Sequence, residues 1–348
     1  MDTLAQKYDS LIKTNEWKYY DFPQQTTNII EESSKNFIVS YLGKGSKTEA
    51  SIFKYIESLE EYRIKHILSS FLLGVIVYEE STILQENIDG FLKKIPSDRE
   101  ESSKERFLYI WMLVSIFHDF GYAVEEKKVD IEIDEFDSLL EQMPDCPKGV
   151  PELYDKSLLK SYNTFKCCHF SCYDHGIVGG IKLYSDLCKL REEKERKNNY
   201  NDTNCYWGED LENDFSIAAW AIACHNIFYD KGNTAYTSCY KQLGLENLIC
   251  SNDKEKYLIK IDRHPIFYLL CLVDSIEPIK TFKMYDALKK VKLGVDTNQI
   301  KIQVDSECIS CGSVICQSKM EVYFKKANGL NDWLINTTIT GNTLTINL

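Results

Sequence analysis

Hydrophobic residues recur at steps of three and four along much of the chain, which is typical of helices that bury one face. From about residue 49 to 80 the series predicts one amphipathic helix. A second, more apolar helix is predicted at about 104–120 and ends near Gly121. Further helices are predicted at about 174–192, 213–229 and 264–290. The chain is therefore expected to be mainly α-helical.

The hydrophobic period changes to two towards the C-terminus. Ile300, Ile302 and Val304 alternate with polar residues, and the later segments EVYF and TTITGNTLTINL continue this alternation. Gly341-Asn342 divides the last segment and is a turn signal. The sequence thus predicts a small β-rich appendage of α+β type after the helical part.

These changes of pattern indicate three regions. Residues 1–48 are expected to form an N-terminal helical extension, 49–292 the main helical domain, and 293–348 the β-rich C-terminal region. Residues 126–165 are acidic and then contain several prolines, so they are interpreted as an insertion over the core. The insertion and the C-terminal region carry no motif of their own, and we expect them to shape a pocket.

The composition favours a globular cytoplasmic protein. With 348 residues, 44% of them hydrophobic, the chain can bury a large core. The first residues lack the apolar stretch of a secretory signal, and no membrane span is expected. The net charge of -12 disfavours extended nucleic-acid binding, although metal ions can create a local site for a small anion.

The 13 cysteines are odd in number, and several adjoin apolar runs, which favours reduced thiols in the cytosol. Two groups have spacings that can contribute to a zinc site, namely Cys167-Cys168-His169 with Cys172, and Cys308 with Cys311 and Cys316. Each group lacks a complete tetrahedral set. Free thiols are therefore favoured, and pairing of the two groups across the fold stays open.

Ionisable residues stand inside or beside several apolar segments. His118-Asp119 closes WMLVSIFHDFG, and Asp274 lies in FYLLCLVDSIEP. Burying an unpaired carboxylate costs several kcal/mol, so each acid needs a cation, hydrogen bonds or a proton. Histidines have similar settings at His66, His175 and His225. One such histidine alone is more often a core residue, but a shared cluster of divalent metals would satisfy the whole set.

The order of these six residues resembles the HD superfamily of metal-dependent phosphohydrolases, over roughly residues 50–290. The resemblance implies an all-α HD-type bundle and two divalent transition metal ions, with iron, manganese or zinc all compatible with the ligands. It implies that His66, His118 and Asp274 hold one ion, that His175 and His225 hold the other, and that Asp119 bridges both.

The implied activity is that of a phosphohydrolase or phosphodiesterase on a small anionic substrate, such as a phosphate ester or a nucleotide, including cyclic ones. A hydroxide bridging two metals about 3.5 to 4 Å apart would be the nucleophile. Arg63 lies three residues before His66 and either clamps a substrate phosphate or forms a surface ion pair.

The general acid and the residues around the ligands form the rest of the expected site. Tyr122 stands where many relatives have Lys or His, so its hydroxyl, or nearby Glu125, is the candidate. Asp174 is expected to cap a helix, and Asn226 to orient an imidazole or bind substrate. Glu277 is expected to face solvent.

Two other classes stay open. Some HD proteins are di-iron oxygenases that use the same four-His, two-Asp set, and degenerate HD domains serve as metal-free signalling modules. The signatures of several HD subfamilies are missing, because Asn226 follows His225 and Gly121-Tyr122-Ala123 is not a GYP motif. The ligand set looks whole, which favours an enzyme, and family frequency favours a hydrolase.

Overall fold

The computed structural model describes residues 1–14, 47–145, 155–196, 208–227, 234–249, 259–283, 286–305, 314–328 and 336–348. These residues are mainly α-helical and include one antiparallel sheet, as the hydrophobic periods predict. The α-helices are α1 (Leu4–Thr14), α2 (Lys47–Ser58), α3 (Glu61–Glu80), α4 (Thr82–Leu92), α5 (Ser103–Phe117), α6 (Tyr122–Glu125), α7 (Ile133–Gln142), α8 (Lys156–Phe170), α9 (His175–Arg196), α10 (Leu211–Cys224), α11 (Thr237–Gln242), α12 (Glu246–Ile249), α13 (Pro265–Ile276), α14 (Pro278–Phe282), α15 (Ala287–Lys290) and α16 (Val314–Asn328).

Helices α3, α5, α9, α10 and α13 pack on one another and form the core around the candidate site. Trp111 of α5 donates its indole N–H to the Phe71 carbonyl of α3 over 3.0 Å. Helices α9 and α10 approach closely because a Cβ at Gly180 would lie 2.5 Å from the Ala219 carbonyl oxygen. This close packing places the start of α9, at His175, near the end of α10, at Cys224.

Local signals explain where two of these helices begin. Ser102 and Glu105 form a capping box at the start of α5. Asp174 accepts a hydrogen bond from the Ile177 N–H over 3.1 Å, so the expected capping role of this residue is confirmed.

Two of the predicted helices are interrupted. The helix predicted for 49–80 is two helices, α2 and α3, which are separated at Leu59-Glu60. The helix predicted for 264–290 ends at Ile276, and the short helices α14 and α15 follow it. Glu277 has an extended backbone with ψ 122, because Pro278 disfavours helical geometry in the residue before it. Uninterrupted hydrophobic periodicity was a misleading guide at both places.

The sheet has five antiparallel strands in the order β1-β2-β3-β5-β4. Their bounds are β1 (Asp2–Thr3), β2 (Val291–Asp296), β3 (Gln299–Val304), β4 (Asn336–Thr340) and β5 (Thr343–Asn347). Gly341 turns the last hairpin with φ +61, which confirms the turn predicted there. The strand-like interpretation of EVYF is wrong, because this segment lies in α16.

The first residues of the chain join this sheet. Asp2 pairs with Leu293, and Thr3 pairs with Lys292. Tyr8 of α1 then donates its hydroxyl to the Ser69 carbonyl of α3 over 3.0 Å. A strand of two residues is too short to show a hydrophobic period, so β1 was not predicted. The division into regions 1–48, 49–292 with a 126–165 insertion, and 293–348 stays a prediction.

One described stretch, Ser103–Glu125, is long and apolar enough to cross a membrane, and 94% of its most apolar window is buried inside the protein. The pair Glu61–Glu80 and Thr82–Leu92 passes the same test if taken as one span, with a bend of 99°. Buried core helices commonly meet this criterion, so it is weak evidence for a membrane span.

Candidate metal centre

Four of the predicted ligands converge at one point in the core. His66, His118, Asp119 and Asp274 each offer a ligand atom, and these atoms all lie within 4.8 Å of one another. The Nε2 atoms of the two histidines are 3.0 Å apart, and Nε2 of His66 is 3.1 Å from Oδ1 of Asp274. A buried group of two imidazoles and two carboxylates at these distances can hold a metal ion.

The ring orientation of both histidines is fixed by a contact at Nδ1, on the side of the ring away from the cluster. His118 ends α5, and its Nδ1 lies 2.9 Å from the Ser115 carbonyl. His66 lies in the second turn of α3, and its Nδ1 is 2.6 Å from Oε2 of Glu277. Hydrogen bonding through Nδ1 turns Nε2 of each ring towards the cluster, where it can bind a metal once it carries no proton.

Glu277 is the residue that sequence reasoning misjudged most. It was expected to face solvent, and this is wrong, because its side chain is buried. Besides His66, it accepts hydrogen bonds from the Ser69 hydroxyl over 2.6 Å and from the N–H groups of Ile279 and Lys280 over 3.0 Å. The carboxylate therefore positions His66 and also caps α14. Its place directly before Pro278, at a helix start, was the available signal.

Lys280 is a second residue that the sequence did not single out. Its Nζ lies 2.5 Å from Oδ1 of Asp274 and 3.7 Å from Oδ1 of Asp119. The break at Pro278 turns α14 so that this ammonium group faces the two acids. The side chains of Asp274 and Lys280 are 17% and 18% exposed, whereas those of His66 and Asp119 are fully buried. The site therefore opens to solvent at the Asp274 and Lys280 edge.

The charges in the cluster are strongly coupled. Burial by itself raises the pKa of Asp119, but Lys280, His118 and His66 outweigh burial and hold that pKa well below its usual range. Burial also lowers the pKa of His66, but Glu277, Asp274 and Asp119 raise it to about 9. Both carboxylates are thus ionised, as metal ligands must be.

The two remaining predicted ligands lie beside this cluster and outside the four-residue group. The ring centroids of His118 and His225 are 6.0 Å apart, and those of His225 and His175 are 5.3 Å apart. The rings of His175 and His225 can lie close together because residue 176 is glycine. A Cβ at that position would lie 2.9 Å from Nδ1 of His225. The imidazoles thus form a continuous row from His66 to His175.

His225, like His118, has its Nδ1 beside the backbone carbonyl of the residue three positions earlier. Its Nδ1 lies 2.6 Å from the Ile222 carbonyl, while its buried Nε2 has no hydrogen-bond partner among the described residues. Burial, followed by the neighbouring His175, lowers the pKa of His225 to about 3, so the ring is neutral at physiological pH. Oδ1 of Asp119 and Nε of Arg63 are also buried at the site without a hydrogen bond to a described residue. Nε2 of His225 and Oδ1 of Asp119 carry lone pairs, and a bound cation would satisfy both.

His175 is held from both sides. Its Nδ1 is 2.6 Å from Oε2 of Glu125, and its Nε2 is 2.6 Å from Nδ2 of Asn226. Glu125 therefore positions an imidazole, as an alternative to the general-acid role considered for it. Asn226 contacts the ring, as expected of a residue that orients an imidazole, and substrate binding, the other role considered for it, stays a prediction. A metal at His175 would need Nε2, so the Asn226 amide would have to move away.

Arg63 and Tyr122 lie at the rim of the same site. The Arg63 guanidinium is 3.4 Å from the Tyr122 ring centroid, and its Nη1 is 3.4 Å from Oδ2 of Asp119. Its Nη2 reaches Oε1 of Glu126 over 2.9 Å. Tyr122 also stacks on His175 with ring centroids 3.7 Å apart. Arg63 is therefore buried at the site and ion-paired with Asp119 and Glu126, and its contact with a substrate phosphate stays a prediction.

The cysteine groups do not form a second cluster of this kind in the described part of the chain. Cys167, Cys168 and Cys172 form no disulfide, and no group of metal-binding geometry includes them. Burial raises the pKa of the Cys167 and Cys172 thiols, which disfavours the thiolate form. Cys308, Cys311 and the side chain of Cys316 lie outside the described residues.

No protein-family model, no curated protein and no solved structure matches the chain. The residues of the site are therefore the basis for any functional assignment.

Proposed function

We propose that the chain is a metal-dependent phosphohydrolase of the HD type, acting on a phosphodiester or phosphoanhydride of a small molecule such as a nucleotide. One observation carries this proposal: His66, His118, Asp119 and Asp274 come from three separate helices, yet their ligand atoms lie within 4.8 Å of one another. Lys280 supplies part of the counter-charge of the two inward acids, and Oδ1 of Asp119, which makes no hydrogen bond to a described residue, is available to a bound cation.

The proposal assigns two metals to these residues. His66, His118 and Asp274 would hold the first, His225 and His175 the second, and Asp119 would bridge them. The row of rings supports this assignment, with His225 next to His118 and His175 next to His225. Bound metals would supply a hydroxide at neutral pH and neutralise the phosphoryl oxygens.

The chain's own cations favour an anionic substrate. Arg63 and Lys280 flank the two acids, with Lys280 at the solvent-facing edge. Once metals neutralise Asp119 and Asp274, these two side chains are released to contact phosphate oxygens, where guanidinium and ammonium groups both bind well. Two cations beside the acids suit a substrate that carries phosphate, and this supports the hydrolase over the di-iron oxygenase.

Tyr122 is the proposed proton donor to the leaving group. Burial raises its pKa, so its hydroxyl is protonated at neutral pH. Its ring is held between Arg63 and His175, which fixes the direction of the hydroxyl group. A protonated hydroxyl whose ring is held in place at the rim of the site supports this role, provided that it comes within hydrogen-bond reach of the leaving group when substrate binds.

The test begins with elemental analysis of the purified protein, followed by assays of manganese-loaded and iron-loaded samples. Release of nitrophenol from bis(p-nitrophenyl) phosphate supports the hydrolase, whereas metal-dependent oxygen uptake without phosphodiester cleavage supports the oxygenase. A protein that binds no transition metal on titration would be a metal-free module. His118→Ala and Asp119→Ala are expected to abolish metal loading and turnover with limited unfolding. Full activity in either variant overturns the assignment.

A further inference from the structure

The N-terminal helix α1 reaches the surroundings of the metal centre through one buried hydroxyl. The hydroxyl oxygen of Tyr8 lies 3.0 Å from the Ser69 carbonyl oxygen and 3.0 Å from Oγ of Ser69. Ser69 lies three residues after His66 on α3, and its hydroxyl donates to Oε1 of Glu277 over 2.6 Å. Oε2 of Glu277 then lies 2.6 Å from Nδ1 of His66. A continuous row of hydrogen bonds thus joins Tyr8 to a candidate metal ligand.

All four side chains of this row are buried. Tyr8 is 2% exposed and Glu277 is 1% exposed, while Ser69 and His66 are completely buried. Since bulk water does not reach these groups, each polar atom depends on its neighbour in the row for a partner. Burial, together with the charge of Glu277, raises the pKa of the Tyr8 phenol well above its usual value. The Tyr8 hydroxyl is therefore protonated and can donate.

The direction of donation along the row follows from the number of protons. The Ser69 hydroxyl has one proton, and it donates this proton to Glu277. Tyr8 must then be the donor towards Ser69, where its proton is shared between the carbonyl oxygen and Oγ. A serine hydroxyl inside a helix can also turn back to the carbonyl four residues earlier. The hydrogen bond from Tyr8 therefore helps to keep the Ser69 hydroxyl directed at Glu277.

Helix α1 is itself anchored on both sides of Tyr8. Before it, Asp2 and Thr3 pair with strand β2. Leu4, Leu11 and Ile12 are buried on the same helix, and Nζ of Lys7 lies 2.7 Å from Oε1 of Glu80 at the end of α3. The Tyr8 ring thus has a fixed position relative to α3, which a residue that orients a functional group through its neighbours requires.

We propose that Tyr8 is a positioning residue of the metal centre, so that the docking of α1 on α3 determines how tightly the first metal is held. Tyr8 keeps the Ser69 hydroxyl on Oε1 of Glu277, and the other oxygen of this carboxylate then stays at Nδ1 of His66. This inference rests on the metal binding in the proposed function and is independent of the reaction catalysed there.

The test is Tyr8→Phe in the full chain, which removes the hydroxyl and keeps the ring. Manganese affinity, measured by competition titration, should fall about threefold to tenfold, the usual effect of one lost hydrogen bond. The visible absorption bands of cobalt-loaded protein should also change, because they report the geometry of the ligands. Ser69→Ala should weaken affinity by at least as much. Adding Tyr8→Phe to Ser69→Ala should have little further effect, since both changes act through one contact.

Tyr78→Phe is the matched control, because it removes another buried hydroxyl, which donates to Asp89 over 2.7 Å near the end of α3. It should lower the free energy of unfolding in urea and leave manganese affinity and the cobalt spectrum unchanged. Wild-type affinity in Tyr8→Phe, or an effect of Tyr8→Phe that persists in full after Ser69→Ala, would overturn the inference.

The outcomes also separate this inference from the proposed function. Phosphodiester cleavage by a Tyr8→Phe variant of wild-type metal affinity leaves the proposed function standing and removes the inference. Coupled losses of affinity in a protein that cleaves no phosphodiester support the inference and remove the proposed function. A wild type that binds no transition metal overturns both.

Discussion

Oε2 of Glu277 lies 2.6 Å from Nδ1 of His66, on the side of the ring that faces away from the metal ligands. The other oxygen of this carboxylate accepts from Ser69 and from the N–H of Ile279. One buried side chain thus contacts a candidate metal ligand and also caps the start of the helix that carries Lys280. Since carboxylates behind metal-binding histidines fix the tautomer and raise ligand basicity, Glu277 is a positioning residue for the centre.

We predict that Glu277→Ala weakens metal affinity by about 10- to 100-fold, the usual effect of losing such a partner. Glu277→Gln keeps an acceptor for the His66 N–H and should lose less. Competition titrations with a metal indicator would measure both variants, and circular dichroism would check folding. Wild-type affinity in the Ala variant would show that Glu277 serves α14 alone.

Metal binding should depend on pH through His66. Its pKa is raised to about 9, so in the metal-free protein the ring carries a proton below that pH. A metal must displace this proton, so affinity should rise about tenfold per pH unit up to about pH 9. Calorimetry in buffers of different ionisation enthalpy should detect about one released proton at about pH 8. Glu277→Gln should remove most of this release, because the ring then titrates nearer its ordinary pKa.

The same shift has a consequence for the stability of the metal-free protein. The pKa of His66 is higher in the folded than in the unfolded chain, so the charged ring stabilises the fold fully below the ordinary histidine pKa. This contribution is lost as the pH rises through about 9. Urea unfolding of metal-free protein should therefore show a decline over that range, and a flat profile would contradict the pairing of His66 with Glu277.

Lys280 should matter most when no metal is bound. Its ammonium group is the main cation on Asp274 and Asp119, so Lys280→Met leaves two acids without a counter-charge. Breaking a buried ion pair typically costs about 3 kcal/mol or more, and bound metal should restore most of this loss. Thermal unfolding with and without manganese would measure the difference, with Lys283→Met as the exposed control on the same helix. An equal loss in both states would contradict this role.

Much of the site could be predicted because its residues interrupt apolar segments. His118-Asp119 and Asp274 are ionisable groups in segments whose other side chains are buried, and such positions are costly unless they share a partner. The roles of Glu277 and Lys280 were not predicted because they depend on the change of chain direction at Pro278. Hydrophobic periodicity does not show such a change. The strand β1 was missed for a similar reason, since its partner is almost three hundred residues away.

The last prediction separates one metal from two. His225 and His175 lie outside the group that is close enough for a single ion, yet Nε2 of His225 is buried without a hydrogen-bond partner among the described residues. If they hold a second ion, His225→Ala should reduce metal content from about two to about one per chain, while the tighter affinity persists. His66→Ala should instead impair the first ion. His169→Ala is the control, because this histidine packs against Phe165 and Tyr236 away from the ligands. Elemental analysis after dialysis would measure all three, and a wild type that holds one metal would refute the binuclear assignment while leaving the four-residue centre in place.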